Sequence, residues 1–253
     1  MLTHPTLDTL RALRLSGMAQ AFEEQLATPE NASLSFEERL ALMVDREATY
    51  RDNRRLKTRL REATLRHGQA CTEDIDYRHP RGLDKSLMQK LASCQWLRER
   101  HNLLINGPTG IGKSWLGCAL AHKACRDGFT ARYVRLPKLF RELAIAKGDG
   151  RYNKLIRQIT KTDLLVCDDL GLAPLSDEQR RDLLEIVEER YDARSTLVTS
   201  QYPVDHWHEL IGDPTLADAI LDRLVHNAYT LNLKGDSMRK QRKKLTKTDH
   251  SSS

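Results

Sequence analysis

Gly107-Pro108-Thr109-Gly110-Ile111-Gly112-Lys113-Ser114 reads G-x-x-x-x-G-K-S, the phosphate-binding P-loop. Its glycines allow backbone N–H groups to turn inward and form a nest for phosphate oxygens. Lys113 is placed to reach the β- and γ-phosphates, and the Ser114 hydroxyl to ligate Mg²⁺. The flanks agree with this reading. Asn102-Leu103-Leu104-Ile105-Asn106 reads as a short buried strand, and Trp115 to Cys125 as a helix whose N-terminus favours anions. ATP and Mg²⁺ are therefore the expected ligands, and all eight loop residues are expected to line the nucleotide.

A second stretch sharpens the chemistry. Asp163-Leu164-Leu165-Val166-Cys167-Asp168-Asp169 is an apolar run that ends in two carboxylates. A buried parallel strand has this composition, and ligands of open α/β sheets bind at the strands' carboxyl ends. Asp168 is read as the Mg²⁺ aspartate, acting with Ser114. Asp169 is read as the base that polarises the attacking water. A strand that simply ends in an acidic turn before Gly171 is the competing interpretation, and the P-loop upstream argues against it.

Composition limits the partners. With 30% charged residues and a net charge of +6, the 253-residue chain favours a polyanion. The 40% of hydrophobic residues suffices for a packed core. Cys71, Cys94, Cys118, Cys125 and Cys167 show no metal spacing and fit a reducing cytoplasm, with Cys118 and Cys125 as core positions on the post-loop helix. No apolar run reaches membrane-spanning length, and no signal-peptide pattern opens the chain. A cytoplasmic protein without a membrane partner is expected.

The chain divides by pattern. Residues 1–70 read as a helical N-terminal domain, with helical spacing on either side of Ser16-Gly17. Ser35 and Glu38 form a capping box for a helix from Phe36 to Leu65. The second half of that helix is basic. A solvated face competes there with phosphate contact by Arg54, Arg55 and Arg59. Residues 71–101 read as a linker with one amphipathic helix from Leu83 to Arg100. Residues 102–243 alternate strand and helix, which predicts a parallel sheet. Residues 244–253 form a polar tail expected to be disordered.

These motifs, in this order, resemble the IstB-type helper ATPases of bacterial insertion sequences. These are relatives of DnaC-type helicase loaders and of DnaA within the AAA+ superfamily. Leu13-Arg14-Leu15-Ser16-Gly17-Met18 resembles the family's N-terminal signature, and Leu165 to Gly171 its Walker B segment. Thr199-Ser200-Gln201-Tyr202-Pro203 stands in the place of sensor 1, Ala219 to Leu224 in that of the arginine-finger segment, and Gly235 to Arg239 in that of sensor 2. The resemblance implies an α/β fold: an AAA+ P-loop NTPase domain, its parallel sheet flanked by helices, preceded by a smaller all-α domain. It further implies roles for Gln201 in orienting water, Arg223 as a finger acting on a neighbour's nucleotide, and Arg239 near the nucleotide. The helix pair split at Gly148-Asp149-Gly150 resembles the insertion of the initiator and loader clade, which lines a nucleic-acid channel. Its basic residues include Arg141, Lys147, Arg151, Lys154 and Arg157, and the last two with Arg151 are the expected DNA contacts. An ordinary helix pair packed on the sheet is the alternative.

Two residues depart from the superfamily pattern. Asp169 stands where glutamate is usual and is one methylene shorter, which suits a slow switch. Gln201 stands where asparagine is usual. The resemblance implies a homo-oligomer with ATP at subunit interfaces, bound to double-stranded DNA that it presents to a transposase. A replicative helicase loader, a nucleotide-gated scaffold with little hydrolysis, and a small-molecule P-loop kinase are the rival readings.

Overall fold

A computed structural model describes residues 4–28 and 33–238, and the chain divides into two compact units, Met1–Thr58 and Arg59–Ser253. The division falls inside a helix, whereas the sequence pattern places the boundary at residue 70. Arg239 and the tail 244–253 lie outside the described residues. No described helix is long and apolar enough to cross a membrane.

The first unit is helical: α1 (Pro5–Ala12), α2 (Ser16–Ala27) and α3 (Phe36–Ala63), the last crossing the division. The expected capping box is present, since Glu38 N–H donates to Ser35 Oγ and Ser35 N–H to the Glu38 carboxylate. The break between α1 and α2 comes earlier than Ser16-Gly17, at Arg14, which takes a left-handed φ of 59°. Gly17 is instead the second residue of α2. A Cβ there would lie 2.7 Å from both Arg46 O and Glu47 Cα of α3. Glu47 then serves α2 as a cap from the neighbouring helix, accepting the Gly17 N–H at 2.7 Å and the Met18 N–H at 3.1 Å. The Ser16-Gly17-Met18 signature is thus a helix-contact device.

The second unit holds five parallel strands in the order β2-β3-β4-β1-β5: β1 (Asn102–Asn106), β2 (Ala131–Arg135), β3 (Leu164–Leu170), β4 (Ser195–Ser200) and β5 (Ala228–Asn232). β1 and β4 are buried along their whole length, as strands covered on both faces should be. Placing β4 between β1 and β3 sets its carboxyl end between the P-loop and the two aspartates. β3 and β4 lose register between Cys167 and Leu170, a bulge that contains Asp168 and Asp169.

The predicted helix over 83–100 is two helices, α4 (Lys85–Ala92) and α5 (Gln95–Arg98), separated by Cys94 at φ 58°. The turn brings Trp96 into the core, where its indole N–H reaches Leu91 O at 2.9 Å. Residues 71–101 thus contribute buried side chains, among them Met88, Leu91 and Trp96. α6 (Lys113–Arg126) follows the P-loop and buries Cys118 and Cys125 as expected. α7 (Leu136–Gly148) and α8 (Tyr152–Thr160) follow β2, and α9 (Asp177–Arg190) follows β3. α10 (Trp207–Ile211) and α11 (Pro214–Val225) connect β4 to β5. Leu139, Phe140 and Leu143 of α7 join Ile156 and Ile159 of α8 in one core with Ile186, Trp207 and Ile220.

Candidate nucleotide site

The site forms at the carboxyl end of β1, where the chain turns directly into α6. Gly107, Gly110 and Gly112 have φ values of 147°, 85° and 100°. Gly107 is required twice over, because a Cβ there would also stand 2.4 Å from Leu233 O, beside the end of β5. The loop is braced from below by Arg81, a buried side chain whose Nη1 donates to Ile111 O at 3.1 Å. Burial lowers the Arg81 pKa from its ordinary value. Met238 N–H closes the other side by donating to Gly110 O at 3.0 Å.

Lys113 opens α6, and its ammonium donates to Gly107 O at 2.5 Å and Pro108 O at 3.0 Å. Ser114 Oγ donates to Asp168 Oδ1 at 2.8 Å, so the two expected metal donors are adjacent. A hydroxyl and a carboxylate side by side are oxygen donors of the kind Mg²⁺ takes, beside an anion-binding helix start. The residues present fit a nucleotide with its Mg²⁺.

Asp168 is fully buried and heavily bonded. Oδ1 also accepts the Thr199 hydroxyl at 2.5 Å, while Oδ2 accepts the Tyr133 hydroxyl and lies 3.7 Å from Arg66 Nη1. Burial and then the Asp168 carboxylate push the Tyr133 phenol far above its ordinary value, keeping it a donor. Asp169 sits beside it at a left-handed φ of 67°, its N–H bonded to Thr199 Oγ1 at 3.2 Å. Its Oδ2 meets Arg135 Nε and Nη2, each at 2.8 Å.

Gln201 lies one residue beyond β4 and is exposed. The β4 side chain bonded to the aspartates is Thr199. Arg66, Tyr133 and Arg135 also bond the aspartates, and no motif in the sequence marks them. The alternating β2 pattern Ala131-Arg132-Tyr133-Val134-Arg135 offered a partial signal, since Tyr133 and Arg135 share a face. Arg66 offered none beyond its place in a basic run.

Arg223 is at the other end of the sheet. Asn102, the first residue of β1, donates its side-chain amide to Arg223 O at 3.0 Å and Leu224 O at 3.2 Å. The P-loop begins after the last residue of the same strand. Five strand residues separate the ends by about 13 Å, more than an arginine side chain spans. The Arg223 guanidinium bonds Glu188 at 2.8 Å and lines a cleft with Arg100, Arg190 and Arg194.

The candidate DNA residues differ in exposure and in pairing. Arg54 and Arg55 are exposed on α3, Arg55 with Asp52 3.4 Å away. Arg59 is half-buried and donates to Cys125 O at 3.3 Å. Lys154 and Arg157 occupy the exposed face of α8, opposite Ile156 and Ile159, and Arg151 pairs with Asp149. Lys147 is tied to Glu178 and Asp182 and anchors α7 on α9.

Known proteins resemble this chain in sequence and in fold. The family described as IstB-like ATP binding protein matches residues 8–246. An insertion sequence ATP-binding protein of Sinorhizobium fredii is 54% identical over 96% of this chain and 99% of its own length. The ATP-binding protein of insertion sequence IS21 from Pseudomonas aeruginosa is 31% identical over 94% of this chain and 88% of its own. Among solved structures, the DnaC helicase loader aligns with a TM-score of 0.55 at 21% identity, over 67% of this chain and 99% of that one. AMPPCP-bound DnaA from Aquifex aeolicus aligns with a TM-score of 0.55 at 16% identity, over 73% of this chain and 57% of that one. At such identities the two structures establish a shared fold alone.

Proposed function

The chain belongs to the IstB-like ATP binding proteins of insertion sequences, and from that premise we propose that it hydrolyses ATP with Mg²⁺ at subunit interfaces. The assembly so formed would hold duplex DNA and present it to a transposase. One observation carries the shared-site reading. Lys113, Ser114, Asp168 and Asp169 gather at the carboxyl ends of the strands, while Arg223 stands at the opposite end of the same sheet. A finger in that position serves a neighbour's nucleotide.

The roles follow from charge and position. The P-loop N–H groups and Lys113 hold the phosphates. Ser114 and Asp168 would hold Mg²⁺, which when bound would supply positive charge to offset the negative charge of the phosphates. Asp169 accepts a proton from water, and a neighbour's Arg223 offsets charge developing on the transferred phosphoryl group. Arg54 and Arg55, together with Arg151, Lys154 and Arg157, are proposed to contact DNA phosphates. Arg59, held by Cys125 O, is the weaker candidate of that set. Gln201 would need to turn inward to orient water, and Arg239 remains a proposed nucleotide contact. A cytoplasmic location accords with the scattered free thiols.

The low-hydrolysis scaffold is favoured by one specific contact, the pairing of Asp169 with Arg135. Titration of ATP into wild type, Lys113→Ala and Asp169→Asn separates the readings. Lys113→Ala should lose ATP affinity. Asp169→Asn should bind ATP with Mg²⁺ yet fail to turn it over. Equal affinity in Lys113→Ala would remove the P-loop assignment, and wild-type turnover in Asp169→Asn would remove the base. Capture of the cognate transposase, set against capture of a replicative helicase, distinguishes a transposition helper from a loader.

A further inference from the structure

The geometry points to Arg66 and Tyr133 as positioning residues for the Asp168 carboxylate, with Arg66 a resident cation that competes with Mg²⁺ for it. This rests on the reading of Ser114 and Asp168 as the Mg²⁺ ligands.

A fully buried carboxylate is costly unless its charge and lone pairs are compensated. Asp168 has about four acceptor positions. The Ser114 and Thr199 hydroxyls occupy Oδ1. The Tyr133 hydroxyl occupies Oδ2, and Arg66 approaches the same oxygen to 3.7 Å. These partners differ in kind. The three hydroxyls are neutral and part of the packed strands and α6. Arg66 is charged, and its side chain is 39% exposed, so it enters from solvent and is free to withdraw.

The segment carrying Arg66 is built to deliver it. α3 ends at Ala63, and Thr64 turns the chain with a left-handed φ of 48°. The Thr64 hydroxyl donates to Tyr133 O at 3.3 Å, pinning the turn to β2. The same strand residue thus fixes the turn through its carbonyl and bonds Asp168 through its phenol.

Mg²⁺ arriving at Ser114 and Asp168 brings a second cation to one carboxylate. Like charges at such a separation repel, most strongly where water is excluded. Arg66 must then retreat, and the broken pair offsets part of the attraction between Mg²⁺ and Asp168. The Mg²⁺ requirement for nucleotide binding is set by this competition. Tyr133 acts in the same direction, because its hydroxyl draws charge from Oδ2.

The test is the Mg²⁺ concentration at half-maximal binding of a fluorescent ATP analogue, measured on the full chain. Arg66→Ala should lower that midpoint several-fold. Arg66→Lys, which keeps the charge, should stay close to wild type. Tyr133→Phe should shift in the same direction as Arg66→Ala. An unchanged or raised midpoint in Arg66→Ala, or an equal shift in Arg66→Lys, overturns the proposal. If circular dichroism finds Arg66→Ala unfolded, Tyr133→Phe decides alone, and an unchanged midpoint there is fatal. Wild-type binding that needs no Mg²⁺ would instead remove the metal-site reading beneath it.

Discussion

Arg135, the last residue of β2, grips Asp169 at the bulge of β3, with Nε and Nη2 each 2.8 Å from Oδ2. A base held by a guanidinium is poorly placed to take a proton from water. Arg135→Ala should therefore raise basal ATP hydrolysis several-fold and make it less dependent on DNA. Steady-state phosphate release with and without duplex DNA measures both effects. A fall in the basal rate would mean that Arg135 orients Asp169 productively.

The packing of α2 on α3 predicts a stability effect far from the nucleotide. Gly17→Ala places a methyl 2.7 Å from the backbone of Arg46 and Glu47. Such overpacking costs about 1–3 kcal/mol. Glu47→Ala should cost about as much, by leaving the Gly17 and Met18 N–H groups without their acceptor. Chemical denaturation of the full chain, followed by helicity, reads both effects. ATP affinity should stay at its wild-type value, and a matched fall in ATP affinity would contradict this separation of roles.

Four thiols predict the alkaline behaviour. Burial pushes Cys118 and Cys125 up to about 11, and Cys94 and Cys167 up to about 12. An exposed thiol ionises near 8.5. Above that pH the unfolded chain has lost these protons while the folded chain keeps them. Their contribution is complete below about pH 8.5 and is lost as pH rises through 11 and 12. Melting temperature should decline across that window. At neutral pH iodoacetamide should label half-exposed Cys71 first and leave the other four protected. Rapid labelling of Cys167 in the native state would contradict their burial.

The two proposed DNA surfaces can be tested separately by salt dependence. Removing one cation that neutralises a phosphate should flatten the plot of log affinity against log salt by about 0.9. Arg54→Glu with Arg55→Glu tests α3, and Lys154→Glu with Arg157→Glu tests α8. Arg59 is a poor choice for reversal because it also caps the Cys125 carbonyl. An unchanged slope in either pair returns that face to solvent.

The features that could be read in sequence are those whose residues are contiguous. The P-loop, the Asp168-Asp169 strand end and the Ser35–Glu38 capping box all act within a few residues of themselves. The partners of those groups come from elsewhere. Arg135 faces Asp168 in register only because β2 pairs with β3, and Thr199 reaches Asp168 only because β4 lies beside it. Arg66 reaches the same carboxylate from the turn after α3. Strand order is a property of packing between distant segments, so no local pattern encodes it. The split at Cys94 escaped for a related reason. Trp96 is buried just after the left-handed turn at Cys94, and burial is decided by packing between segments, not by the helical periodicity of residues 83–100.

Each ATP is proposed to be hydrolysed by residues of two subunits, and complementation between two inactive variants tests this most directly. Arg223→Ala retains the P-loop and Asp169 but has no finger to lend, and should hydrolyse poorly. Fingers of this kind contribute roughly 10³–10⁵ in rate elsewhere. Asp169→Asn keeps the finger and lacks the base. Each variant alone should be inactive. Mixed, and shown to co-assemble, they should recover activity at those interfaces where the Asp169→Asn subunit lends Arg223 to its neighbour's intact site. Activity no greater than the sum of the separate variants, in confirmed mixed assemblies, would contradict the shared site.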